Sequence, residues 1–222
     1  VTVNAVDANW NLVNTVTDTV GITSSDANAT LPANAALVAG TRTFSVTLKT
    51  AGTATVTATD ITDGTKTANT SPSITVNAGT FVKMQLLVPG ETAAPGTASG
   101  KTGTPTAATA GTAFTVTVRA VDTNWNLVSS APANQVTLSS SDANATLAAP
   151  ANLASGTVTF TNGVTLKTAG TATVTATNST DGTKTANTSP SITVNAGTFV
   201  KMQLLVPGET AAPGTASGKT GT

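Results

Sequence analysis

The sequence predicts an all-β protein: tandem antiparallel β-sandwiches, about seven strands per repeat, with no helices. Three observations predict it. Apolar and polar residues alternate with a period of two in segment after segment, and no helical period occurs. Turn signals such as "AGT", "TDGTK", "NAG" and the Ala-Pro pairs separate those segments. The chain also repeats itself, for Asp63–Thr104 and Asp181–Thr222 are identical at an offset of 118 (181 minus 63).

Upstream the copies drift. "AVDANWNLV" at 5–13 returns as "AVDTNWNLV" at 120–128, "SSDANATL" at 24–31 returns at 140–147, and "LKTAGTATVTAT" at 48–59 returns at 166–177. The second copy gains its extra residues near Pro132 and at "TNG" 161–163, as loops allow. Three segments follow. Residues 1–79 are a repeat lacking its first strand, 80–197 a complete repeat with a Pro/Gly/Thr/Ala-rich insertion at 89–112, and 198–222 the first strand and linker of a next repeat. Val1 aligns with Val116 in mid-strand, so the sequence reads as a window on a longer array.

Each element of the complete repeat has its own pattern. "FVKMQLLVPG" alternates Phe81, Lys83, Gln85 and Leu87 with Val82, Met84, Leu86 and Val88, and its apolar content on both faces suits burial on both sides. Residues 89–112 read as a long loop, of a length that is functional or a linker. "FTVTVRAV" puts Phe114, Val116, Val118 and Ala120 on one face, opposite Thr115, Thr117 and Arg119. "QVTLSSS", "TVTF" and "VTLKT" read as three further strands. "TATVTATN" turns Ala172, Val174 and Ala176 inward, and "SPSITVNAG" closes the repeat.

Composition removes whole classes of function. Ten basic residues balance ten acidic ones and only 9% of residues are charged, which argues against nucleic acid as a partner. No polybasic or amphipathic helix suggests membrane contact. The chain has no Cys, His or Tyr, which excludes thiol and imidazole catalysis and the usual zinc and iron–sulfur sites. Threonine is abundant, as suits strands with wet faces.

"AGTAFTVTVRAVDTNWNLV", "VTLSSSD", "LKTAGTATVTATN" and "SITV", in that order, resemble the bacterial immunoglobulin-like repeats, of the invasin-like kind, found in tandem in adhesins and giant surface or filament proteins. The resemblance covers nearly the whole repeat. It implies an extracellular or cell-surface location and a role as spacer, stalk or filament. Two departures stand out: a Trp in the "DxNWN" turn, where such domains commonly carry Gly, and the long stretch 89–112.

Several residues are candidates for more than packing. Asp7, Asn9 and Asn11, with Asp122, Asn124 and Asn126, place oxygens at alternate positions as a calcium loop does. The sixth position holds Leu12 or Leu127 rather than Gly, and the alternative is an Asx turn. Trp10 and Trp125 are candidates for glycan or partner contact, or for packing. Asp7, Asp26, Asp63 and Glu91 recur as Asp122, Asp142, Asp181 and Glu209. They read as solvated turn residues, not the facing pair that glycoside hydrolysis needs. Asn28, Asn69, Asn144, Asn178 and Asn187 are N-glycosylation sequons. Phe81, Met84, Leu86 and Val88, with Phe199, Met202, Leu204 and Val206, form a candidate inter-repeat or inter-subunit interface. There the strand either starts its own domain or pairs with a neighbour.

The expected function is therefore mechanical: a non-enzymatic segment of an extracellular filament, stalk or adhesin shaft, without cofactors, whose partners are copies of itself. The alternative is a carbohydrate-binding or adhesive module that uses the Trp turn and contacts surface glycans.

Overall fold

The computed structural model describes residues 1–222 and is all-β, with 23 strands and no helix. The chain divides into two compact units.

Unit 1 comprises Val1–Ala78 and Pro95–Thr97. Its strands are β1 (Thr2–Asn4), β2 (Thr19–Ser24), β3 (Ala35–Ala36), β4 (Thr41–Thr43), β5 (Gly52–Ala54), β6 (Val56–Asp60), β7 (Asn69–Thr70) and β8 (Ile74–Val76). One sheet has the order β3-β2-β6-β7, while β1 pairs only with β4 and β5 only with β8. Val20, Ile22, Leu37, Phe44 and Val56 form a buried core. Val3, Ala5, Val46, Leu48, Ala58 and Ile74 pack against it only half-buried.

Unit 2 comprises Gly79–Ala94 and Ala98–Thr222. Its strands begin with β9 (Lys83–Leu87), β10 (Glu91–Ala93), β11 (Lys101–Gly103), β12 (Ala108–Thr109) and β13 (Ala113–Val121). β14 (Gln135–Ser140), β15 (Thr146–Leu147), β16 (Ala151–Asn152), β17 (Thr157–Thr165), β18 (Gly170–Ala172) and β19 (Val174–Asn178) follow. β20 (Asn187–Thr188), β21 (Ile192–Asn195), β22 (Thr210–Ala211) and β23 (Lys219–Thr220) complete the chain. The main sheets have the orders β15-β17-β13-β9 and β16-β14-β19-β20, and a smaller one runs β12-β21-β18. In immunoglobulin lettering these are D-E-B-A against C′-C-F-G, with β12 as a short strand parallel to β21. The fold class is thus an immunoglobulin-type β-sandwich.

The alternation in "FTVTVRAV" holds, for Val116, Val118 and Ala120 are buried and the threonines between them are not. Ala172, Val174 and Ala176 likewise face the core.

Two expectations change. "TVTF" and "VTLKT" are one strand, the nine-residue β17. The turn signal between them is absorbed as an irregularity in the pairing with β13, where Asn162 takes φ 50° and donates its N–H to Thr115 Oγ1. Gly163 is needed there, since a Cβ would lie 2.4 Å from that of Phe160. Residues 89–112 are not a plain loop either. β10 and β11 form a hairpin in which Gly90 and Gly103 hold positive φ and their backbones pack too closely for any side chain. Lys101 Nζ lies 2.9 Å from Glu91 Oε1 inside that hairpin.

Candidate assembly interface

β9 sits in the seam between the two sheets of unit 2. On one edge it pairs antiparallel with β13, Met84 opposite Ala120 and Leu86 opposite Val118. On the other edge it meets the run before β20. Met84 N–H donates to Thr185 O at 2.8 Å, Thr185 N–H donates to Val82 O at 3.0 Å, and Leu86 N–H donates to Asn187 Oδ1 at 2.9 Å. One face of the strand fills the core, with Met84 and Leu86 at 0% exposure and Val88 also buried.

The opposite face is covered by the hairpin. Gln85, a polar residue with 0% exposure, donates to Gly100 O at 2.6 Å and accepts from Arg119 Nη1 at 3.1 Å. Lys101 Nζ donates to Leu86 O at 3.1 Å. Trp125 Nε1 donates to Ala98 O at 3.1 Å, and Lys83 Nζ stands 3.5 Å from the Trp125 ring centroid. Gly100 lies flat on that ring, since a Cβ there would come within 2.1 Å of it. Burial on both faces of this strand was expected from its apolar content, but nothing in the sequence shows that a hairpin supplies the cover over Gln85.

The "DxNWN" loop is held by its Asp. Asp122 Oδ1 accepts the N–H groups of Asn124 and Asn126 at 2.8 and 2.9 Å. Oδ2 accepts Asn126 Nδ2 at 3.0 Å and Gly79 N–H at 2.8 Å. Burial alone would raise this carboxyl, but those four donors outweigh it and hold the pKa below the ordinary value. In this Asx-type arrangement the Asp122 oxygens face N–H donors, which a cation would have to displace. Asp7 has the same loop bonds from Asn9 and Asn11, without a glycine donor. Trp10 and Trp125 occupy left-handed backbone at φ 66° and 67°, a strained choice for so large a residue.

Among the other paired carboxylates, Asp26 and Asp142 are less solvated than their turn sequences suggest, while Asp63 and Asp181 stay partly exposed. Asp26 and Asp142 are buried, and each ties its loop to the last two residues of "TLKT". Asp142 Oδ2 accepts Lys167 N–H at 2.6 Å and Thr168 N–H at 3.0 Å, while Oδ1 accepts the Thr168 hydroxyl at 2.8 Å and Asn144 N–H at 3.0 Å. Beside it, Asn144 Nδ2 donates to Thr168 Oγ1 and to Pro213 O, at 3.1 and 3.3 Å. This grip on the second hairpin was not found from the sequence. Its available signal is the retention of "SDANATL" and "LKTAG" in both copies while their flanks drift. In unit 1 Asn28 makes the same bonds to Thr50 Oγ1 and Pro95 O.

The second copy of the interface strand is in a different state. Phe199, Met202 and Leu204 are 82%, 86% and 77% exposed, Val206 is exposed too, and none lies in a sheet. The hairpin after them is nonetheless formed. β22 pairs with β23, Gln203 Nε2 donates to Gly218 O at 2.7 Å, and Lys219 Nζ lies 2.6 Å from Glu209 Oε1. Among the sequons, Asn178 is buried, with Oδ1 accepting from Thr180 and Asp181, so the folded unit leaves no room for a glycan there. Asn28 and Asn144 donate their Nδ2 groups in the bonds given above, Asn187 accepts through Oδ1 alone, and Asn69 is exposed.

Unit 2 is thus an immunoglobulin-type sandwich whose first strand is followed by a folded hairpin. No protein-family model and no curated protein sequence matches the chain. Three solved structures are similar to it. The D0-D1 domain of intimin has 15% identity and a TM-score of 0.33, over 87% of this chain and 88% of that one. An apo β-glucuronidase 3 of Bacteroides uniformis has 15% identity and a TM-score of 0.36, over 80% of this chain and 21% of that one. A C-terminal fragment of intimin, solved in complex with the intimin-binding domain of the translocated intimin receptor, has 17% identity and a TM-score of 0.27, over 87% and 56%.

Proposed function

We propose that the chain is a structural segment of an extracellular or cell-surface filament, stalk or adhesin shaft, built from serial sandwiches. The observation that carries this is the use of one repeated segment in two settings. Phe81–Val88 is an integral strand of a sandwich, while the identical Phe199–Val206 emerges from the end of the same unit, its hairpin held at Pro213 by Asn144. The chain carries that segment, letter for letter, after each of two sandwiches, which suits serial assembly. Its partners are copies of itself. The reading is non-catalytic, since Asp26, Asp122 and Asp142 are each committed to N–H groups of their own loops and strand ends.

Electron microscopy of the native assembled material tests this. Continuous fibres, or strings of regularly spaced beads, with an axial repeat near one or two sandwich lengths support it. Isolated particles without serial order overturn it.

One observation favours a second reading, contact with surface glycans. Trp10 is 74% exposed, whereas one face of Trp125 carries Lys83 and Gly100. Polysaccharide binding that Trp10→Ala abolishes and Trp125→Ala leaves intact would support that role, and absence of binding would remove it.

A further inference from the structure

We propose that Asn162 is a site of spontaneous deamidation, a covalent modification confined to unit 2 that disrupts β17 as the chain ages. An asparagine loses ammonia when the peptide nitrogen of the next residue attacks its side-chain carbonyl. A Cβ on that next residue obstructs the approach, and glycine removes the obstruction. Asn162-Gly163 is the only Asn-Gly pair in the sequence.

The fold leaves this pair open to reaction. Thr161, Asn162 and Gly163 all stand against the single Thr115 where the β13–β17 register shifts, so Asn162 lies outside the regular ladder. Its backbone is left-handed, φ 50°, with the N–H donated to Thr115 Oγ1. The side chains of Asn126, Asn144, Asn178 and Asn187 are tied by hydrogen bonds. That of Asn162 stands in solvent. Unit 1 has no counterpart, for Ser45 alone joins Phe44 to Val46 where Thr161, Asn162 and Gly163 join Phe160 to Val164.

The step needs nothing but water. Gly163 N bonds to Asn162 Cγ, the Cγ–Nδ2 bond breaks, and the proton from Gly163 N leaves with the ammonia. Water then opens the cyclic imide. Cleavage at Cγ gives aspartate on an ordinary backbone. Cleavage at the α-carbonyl gives isoaspartate, in which the chain runs through Cβ and Cγ and is one carbon longer. The site has no room for that carbon. A Cβ on Gly163 would lie 2.4 Å from that of Phe160, and Phe160 and Val164 on either side are buried. Gly163 O also accepts Ala148 N–H at 2.8 Å. Isoaspartate displaces Gly163 from these neighbours, which costs β17 part of its pairing with β13 and its bond to Ala148. The product thus weakens unit 2 and spares unit 1.

The test ages the full chain in warm, mildly alkaline buffer, which helps deprotonate the attacking nitrogen, and maps the products by mass spectrometry of proteolytic peptides. The mass gain of deamidation should build up at Asn162 at least about tenfold faster than at any other asparagine. Asp63-Gly64 and Asp181-Gly182 can close the same imide but lose no ammonia, so they add nothing to that signal. The melting temperature of the aged chain should fall in step with the modified fraction. Asn162→Gln, whose longer side chain cannot close the same ring, should keep both its mass and its melting temperature, with circular dichroism of the fresh variant verifying its fold. Deamidation at Asn162 only in urea, or faster at another asparagine, overturns the site. Complete deamidation with an unchanged melting temperature overturns its effect on β17.

Discussion

Lys83 and Trp125 form a cation–π pair, Nζ 3.5 Å from the ring centroid, while Nζ also donates to Thr123 O at 2.9 Å. Burial lowers the Lys83 pKa, opposed by Asp122. Trp10, at the same place in the other repeat, is exposed. The two tryptophans should therefore separate in acrylamide quenching. A Trp125→Phe variant, retaining Trp10, is expected to show a several-fold larger quenching constant and redder emission than Trp10→Phe.

Identical residues in different surroundings give a second prediction. Leu86→Ala removes a fully buried side chain and should cost unit 2 about 2–5 kcal/mol. Leu204→Ala, at the same place in the exposed copy, should change the stability of the dilute monomer by less than about 0.5 kcal/mol. Urea denaturation of each variant measures both.

Gly100 and Gly218 extend that comparison. Both hold positive φ, so alanine at either costs about 1 kcal/mol of backbone strain. Only at Gly100 would the new methyl also strike the Trp125 ring, which adds about 1–3 kcal/mol. At Gly218 the nearest atom is the mobile Gln203 Nε2 at 3.2 Å. Gly100→Ala should lower the melting temperature clearly and disturb Trp125 emission, while Gly218→Ala should lower it less and leave that emission unchanged.

The buried aspartates set the acid limit. Burial would raise Asp26 and Asp142, but Thr50 and Lys49 in one case, and Thr168 and Lys167 in the other, donate enough bonds to hold both below the ordinary carboxylate value. Asp122 behaves alike. A folded pKa below the unfolded one gives stability that is present above the unfolded value, near 4, and lost as pH falls through the folded value. Melting temperature should thus be level above about pH 5 and fall steeply below about pH 4. Asp142→Asn should be less stable at neutral pH and show a shallower acid decline.

Much of the architecture was legible because strand faces alternate strictly. Val116, Val118 and Ala120 could be assigned to a core from spacing alone, whereas Met84, Leu86 and Val88, in a segment apolar on both faces, read equally as a strand of their own domain or as an interface. What was not legible depends on contacts far along the chain. Asp142 is bonded from Lys167 and Thr168, so its burial has no local signature. Gln85 is buried because a hairpin folds over it and accepts its hydrogen bond at Gly100, fifteen residues on. Asn162-Gly163 looked like a turn because both residues tolerate left-handed backbone, which serves equally well to bulge a continuous strand.

The placement of β9 also governs how unit 2 would yield to a pull. It runs parallel to the stretch around Thr185, and β12 runs parallel to β21. Traction entering at Gly79 and leaving at Gly197 would slide these partners past one another along their axes. The bonds at Met84, Thr185 and Leu86 would then resist together in shear, where peeling would break them singly. Forced unfolding follows the rate of that first rupture rather than the equilibrium free energy. A sandwich with β9 seated is a clamp under tension, its load shared along the strand.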